Sequence, residues 1–286
     1  MNADERISAL EIRVAEIEKR LSSSDRSSMA EELIKANSKV VQIEIKKLAE
    51  KVGLIDEPQF FVGSSPLLAT AIPSLFESAS SPVTRLFENP GQVRENGFVM
   101  YSAESRSSIV EGVAREIALR SQGRRVNRNG EFVAIFEGGD DFLCWAMRSE
   151  GWPMSPSQLE GPWTINSLVL VEATHNCVTL SKQLLTYARP EPNLVQFVIG
   201  FQNLSRDGKA PYLLDGKADR QRLMRPRVQG SKGDCFFTIV APKEESAERV
   251  AFRLVAEIYH SFNLVDDAIP YTAIVDGEQV VDPSQF

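Results

Sequence analysis

A chain of 286 residues with 43% hydrophobic and 25% charged residues and a formal net charge of −7 is long enough for one large domain or two small ones. Its apolar content excludes disorder throughout, and no run of about 18 apolar residues provides a membrane-spanning helix. The first twenty residues are charge-rich where a secretory signal would be apolar, so the chain is expected to stay where it is made.

Ala3, Ile7, Leu10, Val14, Ile17 and Leu21 are spaced 4, 3, 4, 3, 4. This is the a/d seam of a coiled coil and predicts self-association through residues 3–21. A helix packing on its own domain stays open for so short a seam. The serine-rich SSSDRSS over 22–28 interrupts it, because serine side chains compete for backbone hydrogen bonds. Ser28 with Glu31 is a capping-box pattern, and Ile34, Val41, Ile45, Leu48 and Val52 form a stripe that ends at Gly53. Residues 1–57 therefore read as a helical arm with a second helix over 29–52, and 58–286 as one domain.

Five prolines between Pro58 and Pro90 prevent a long regular element over 58–96, where PQFFVGSS reads as a short strand. NGFVMY predicts a strand, and Ser105 predicts the cap of a helix with Ile109, Val113 and Ile117 on one face. Glu111 with Arg115 and Glu116 with Arg120 would pair on its outer side. RRVNR and EFVAIFE flank Asn129-Gly130, a tight-turn dipeptide, and FLCWAM is a further strand.

A helix over 165–187, the strand LVQFVIGFQNL, an Asp207-Gly208 turn and the strand APYLL follow. The strand CFFTIVA, a helix over 245–262 and the hairpin YTAIV, Asp276-Gly277, EQVVD complete the chain. Tight hairpins imply antiparallel pairing, so the expected class is α+β: an antiparallel sheet with helices packed on it, preceded by a helical coiled-coil arm.

Cys144, Cys177 and Cys235 sit in apolar contexts such as FLCWAM and DCFFTIV, as buried reduced thiols do, and this points to a cytoplasmic protein. His175 lies two helical positions from Cys177, and their side chains diverge by about 200°, too far to share a metal. His260 falls in the last turn of a helix, where the dipole favours a cation, with Asp266 and Asp267 close enough to pair.

The stretch IFEGGDDFL over 135–143 resembles the GGDEF hairpin of diguanylate cyclases and the GGDD hairpin of CRISPR-associated polymerase palm domains. By that resemblance Gly138 and Gly139 let backbone approach a nucleotide, while Asp140 and Asp141 bind magnesium or manganese. A two-ion site needs a further upstream carboxylate. No aspartate occurs from 57 to 139, and Glu104 is the substitute.

Charge is the remaining signal. The acidic total argues for solubility, yet residues 206–233 carry eight Lys and Arg against three Asp and Glu, and 234–286 carry three against ten. Lys217, Arg220, Arg222, Arg225, Arg227 and Lys232 suit phosphate contacts, and Arg124, Arg125 and Arg128 form a second run. The leading expectation is a non-enzymatic, self-associating protein that binds nucleic acid or another polyanion through these residues and needs no cofactor. The alternatives are a metal-dependent nucleotide enzyme and a scaffold that uses the arm and the acidic tail.

Overall fold

A computed structural model of the chain describes residues 31–35, 59–67, 106–111, 114–120, 132–138, 141–148, 154–156, 163–205, 207–214, 227–230 and 234–286. Residues 31–35, inside the second expected helix, are helical. The coiled-coil seam over 3–21 and the strand NGFVMY lie outside the described residues.

Seven strands form the main antiparallel sheet: β1 (Gln59–Pro66), β2 (Arg106–Glu111), β3 (Ala114–Arg120), β4 (Phe132–Gly138), β5 (Asp141–Arg148), β8 (Leu194–Gln202) and β11 (Cys235–Pro242). Their order is β11-β8-β1-β5-β4-β3-β2. A second sheet, in the order β10-β9-β7-β6, is made of β6 (Met154–Pro156), β7 (Trp163–Ile165), β9 (Tyr212–Leu214) and β10 (Arg227–Gln229). The helices are α1 (Ser167–Leu185) and α2 (Ala247–Ser261), and a hairpin of β12 (Thr272–Val275) and β13 (Glu278–Val281) follows. The α+β class and the antiparallel sheet are as the hairpin pattern predicts.

Two-residue alternation explains how the sheet meets the helices. Phe60 and Val62 of β1, Val195, Phe197, Ile199 and Phe201 of β8, and Ile239 and Ala241 of β11 join one buried cluster with Leu170, Val178 and Leu184 of α1 and Val250, Leu254 and Ile258 of α2. The opposite face is buried too. Phe61 is 0% exposed and Val198 1%, the Phe61 ring packs 4.4 Å from that of Phe236, and the Gln196 amide donates to the Ile34 carbonyl at 3.4 Å. A strand covered on both faces reads as a continuous apolar run, as LVQFVIGF does.

Capping fixes the helix ends. Asn166 accepts the Leu168 amide at α1, and Ser246 accepts the Arg249 amide at α2. At the other end of α2, Asn263 adopts φ 57°, its amide bonds the His260 carbonyl and the Leu264 amide bonds that of Tyr259. This pair of bonds is the Schellman arrangement. Asp276 and Gly277 both have positive φ, 53° and 83°, as a tight hairpin turn requires.

Two expectations are corrected. The helix expected after Ser105 is instead the hairpin β2–β3, with Ser108 opposite Ile117 and Glu111 opposite Ala114, so the helical i,i+4 spacing behind the expected ion pairs is absent. β3 also pairs with β4. Satisfying the backbone edge of β4 outweighs helix propensities of a few tenths of a kcal/mol per residue. β4 pairs with β3 on one side and β5 on the other, and RRVNR with the Asn129-Gly130 turn lies outside the described residues. Finally, the strand after Asp207-Gly208 does not return to β8: β9 leaves for the second sheet, parallel to β7 and antiparallel to β10.

Gly200 is closely packed, since a methyl group there would lie 2.5 Å from the Cys235 carbonyl oxygen and 2.5 Å from Phe61 Cζ. Neither neighbour can yield, since one is backbone and the other a fully buried ring. Gly200→Ala is therefore expected to lower stability by about 1–3 kcal/mol through overpacking, read as a lower denaturant midpoint at unchanged slope.

Candidate polyanion interface

Arg227 opens β10 opposite Leu214 of β9, Gln229 lies opposite Tyr212, and the Gly230 amide bonds the Pro211 carbonyl at 2.9 Å. The chain thus leaves β9 and re-enters β10 at neighbouring points, and the intervening residues 215–226 are the connection of an antiparallel pair. Lys217, Arg220, Arg222 and Arg225 belong to that connection, and Lys232 follows β10. These five lie outside the described residues, as do Arg124, Arg125 and Arg128, which connect β3 to β4. β3 is sixth in the sheet order and β11, which follows β10 in the chain, is first.

At the foot of the β9–β10 pair lies a groove of about 340 Å³. Its walls include Phe201 of β8, Phe236 and Phe237 of β11, and Phe262 at the end of α2, with Gly230 and Asp234 beside them. β11 is the first strand of the sheet order, so its outer edge is unpaired among the described strands. Gly230 lets the hairpin rest on α2, since a Cβ there would lie 2.9 Å from Phe262 Cε1. The Asp234 carboxylate accepts the Asn203 amide at 2.8 Å, and burial pushes the Cys235 thiol up to about 11, which keeps it protonated at neutral pH. Sequence reading missed this groove, because its four phenylalanines come from three separate elements and no local pattern joins them.

Gly138 ends β4, Asp141 begins β5, and the two are paired, while Gly139 lies outside the described residues. Asp140 and Glu104 are outside the described residues. The strand beside β5 is β1, whose sequence QFFVGSSP contains no carboxylate. The two strands before the hairpin, β2 and β3, stand where the resemblance implies a helix.

Both histidines meet carboxylates. His260 Nε2 lies 2.7 Å from Asp266 Oδ1, the pairing expected from the sequence. His175, 8% exposed, lies 3.6 Å from Glu248, with the Phe286 ring edge-on at a centroid distance of 5.7 Å. Burial pushes the His175 imidazole below its ordinary value, and the nearby Glu248 carboxylate only partly offsets this. Burial raises the Glu248 carboxyl, but its own backbone amide, the Ser246 hydroxyl and His175 more than reverse that, so its net shift is downward.

No family model matches the chain, and neither the curated proteins nor the solved structures contain a match to it.

The His175 shift sets a pH dependence. A depressed folded-state value means that the unfolded chain takes up the proton first, so stability is complete above about pH 6.5 and falls as pH drops below it. The lowered Glu248 carboxyl acts in the same direction at more acid pH. The melting temperature is expected to fall between pH 7.5 and 5.5, and to fall less in His175→Gln.

Proposed function

We infer that the protein is non-enzymatic, associates with itself through the N-terminal arm, and binds nucleic acid or another polyanion through the basic connection between β9 and β10. The observation that supports this reading is the excess of eight Lys and Arg over three Asp and Glu in residues 206–233. Charges gathered on a single connection act on the same stretch of phosphate backbone, and each phosphate neutralised releases counterion. The charge pattern nearby supports the same direction of approach. All three cations of residues 234–286 are engaged by carboxylates: Lys243 by Glu191 at 3.5 Å, Arg253 by Glu245 at 2.8 Å, and Arg249 by Glu245 and Glu278. A polyanion is thus repelled by the acidic C-terminal part and drawn to the segment before it.

Binding to a nucleic-acid oligomer is expected to weaken with salt along a log-log slope of about −2 to −3, as for three engaged cations. Replacing Arg220, Arg222, Arg225 and Arg227 together by glutamine removes most of that slope and leaves the melting temperature near wild type. A wild-type chain that binds no DNA or RNA at about 50 mM salt, where such contacts are strongest, overturns the reading.

Self-association is tested separately. Light scattering on the full chain is expected to give a larger particle than on a chain lacking residues 1–28, and Leu10 and Ile17 changed to charged residues reproduce the smaller one. Monomer masses for both chains exclude the arm as an oligomerising element.

A further inference from the structure

We propose that Phe286 and the 3-10 turn before it, Pro283–Gln285, form a latch over His175 and Tyr271 that opens when the imidazole takes up a proton. The open form presents the two aromatic rings and a charged histidine to solvent, so the fold carries a pH-sensitive switch. This stands apart from the polyanion reading and does not depend on it.

What lies beneath the latch is poorly satisfied. His175 is 8% exposed, and among the described residues neither of its ring nitrogens has a hydrogen-bond partner. Glu248, at 3.6 Å, is beyond hydrogen-bond reach. The Phe286 ring stands edge-on to His175 and also lies 5.0 Å, centroid to centroid, from the Tyr271 ring. The buried Tyr271 hydroxyl is likewise without a partner among these residues. A buried polar group with no partner costs its desolvation, and water reaching it removes that cost. Tyr271 also has φ 58°, a backbone conformation that a bulky residue adopts only where its neighbours impose it. Opening therefore relieves costs that the closed form retains.

Little holds the latch shut. The Asp282 amide bonds the Tyr271 carbonyl at 2.7 Å, and the Gln285 side-chain amide donates to the Thr272 carbonyl at 3.2 Å. The Asp282 carboxylate caps the turn by accepting from Ser284 and Gln285. No residue of the 3-10 turn is buried, so the Phe286 ring is the apolar contact by which the segment rests on the core. Segments with few buried apolar contacts open locally before the rest of the fold.

The trigger is the charge on His175. From α2 it faces the Glu248 carboxylate, while Tyr271 and Phe286 bring rings. The Asp282 carboxylate is engaged within its own turn, and on α1 the buried Glu172 lies one helical turn away. Burial holds the closed imidazole below its ordinary value, and Glu248 only partly offsets this. In the open form the ring regains its ordinary value of about 6.5. Opening thus takes up a proton: the closed form is fully favoured above about pH 6.5 and loses ground as pH falls. One proton bound with that value raises the opening constant by at most about tenfold between pH 7.5 and 5.5.

The test is hydrogen exchange at the amides of Asp282, Ser284, Gln285 and Phe286, read by mass spectrometry on the full chain and corrected for the intrinsic pH dependence of exchange. Protection of these amides is expected to fall by about three- to tenfold from pH 7.5 to 5.5, while staying at least about a hundredfold below that of the buried centre of α2. The fall is expected to vanish in His175→Gln and to persist when the chain's other histidine is changed, His260→Gln. Phe286→Ala is expected to lower protection already at pH 7.5, with α2 unaffected. Unchanged wild-type protection between the two pH values overturns the proposal, as does a fall that persists in folded His175→Gln. Protection equal to that of α2 also overturns it, since the segment then opens only when the whole fold does. Should His175→Gln fail to fold, the wild-type profile together with His260→Gln decides: a fall lost on removing His260 assigns the trigger there and ends the proposal.

Discussion

The pairing of β1 with β8 is the constraint on which the rest of the architecture depends. β1 lies between β5 and β8 in the sheet order, and on its other side β5 leads to β4, β3 and β2. Without Phe60 opposite Phe201 and Val62 opposite Ile199, the strands before α1 would form one sheet and those after it another, and the buried cluster would lose a wall. The close fit at Gly200 follows from this pairing, because Phe61 on β1 lies directly across from it. A single glycine thus sets how closely β1, β8 and β11 approach.

Around that sheet the chain separates charge. The C-terminal part, with three cations against ten carboxylates, engages each of its cations in ion pairs: Arg249 and Arg253 of α2 with Glu245 and Glu278, and Lys243 after β11 with Glu191. The stretch before it carries eight cations against three carboxylates. Exposed ion pairs such as Arg249 with Glu278 contribute little to stability. Their larger effect is on the long-range field, which distinguishes one end of the molecule from the other.

The sequence was most readable where local chemistry decides structure. Ser246 as a helix cap, Asp276-Gly277 as a turn and the uninterrupted apolar run of β8 are each set by residues close in the chain, and β8, α2 and the last hairpin lie where the pattern places them. The failures are non-local. AREIALR serves as a helix face or as a strand, and only the neighbouring edge of β4 settles the choice. QFFVGSSP has the composition of a minor strand and turns out to be central, because its two partners lie about 80 and 130 residues further on. The same limit explains the site. The basic stretch was readable because its charges are contiguous, whereas the phenylalanine-lined groove is assembled from β8, β11 and α2 and leaves no trace in any one of them.

The central position of β1 also sets an order of events during synthesis. At about 5–20 residues per second, β1 leaves the ribosome on the order of ten seconds before the first residue of β8 exists. Through that interval a stretch with two adjacent phenylalanines and no charged residue has no partner on its β8 side. Uncharged, ring-bearing stretches of this length are the ones that pair with each other across nascent chains. Pro66, at the end of β1, lacks an amide hydrogen and limits how far such mispairing extends. The strand that unites the finished sheet is therefore also the part of the chain most in need of protection before the sheet exists.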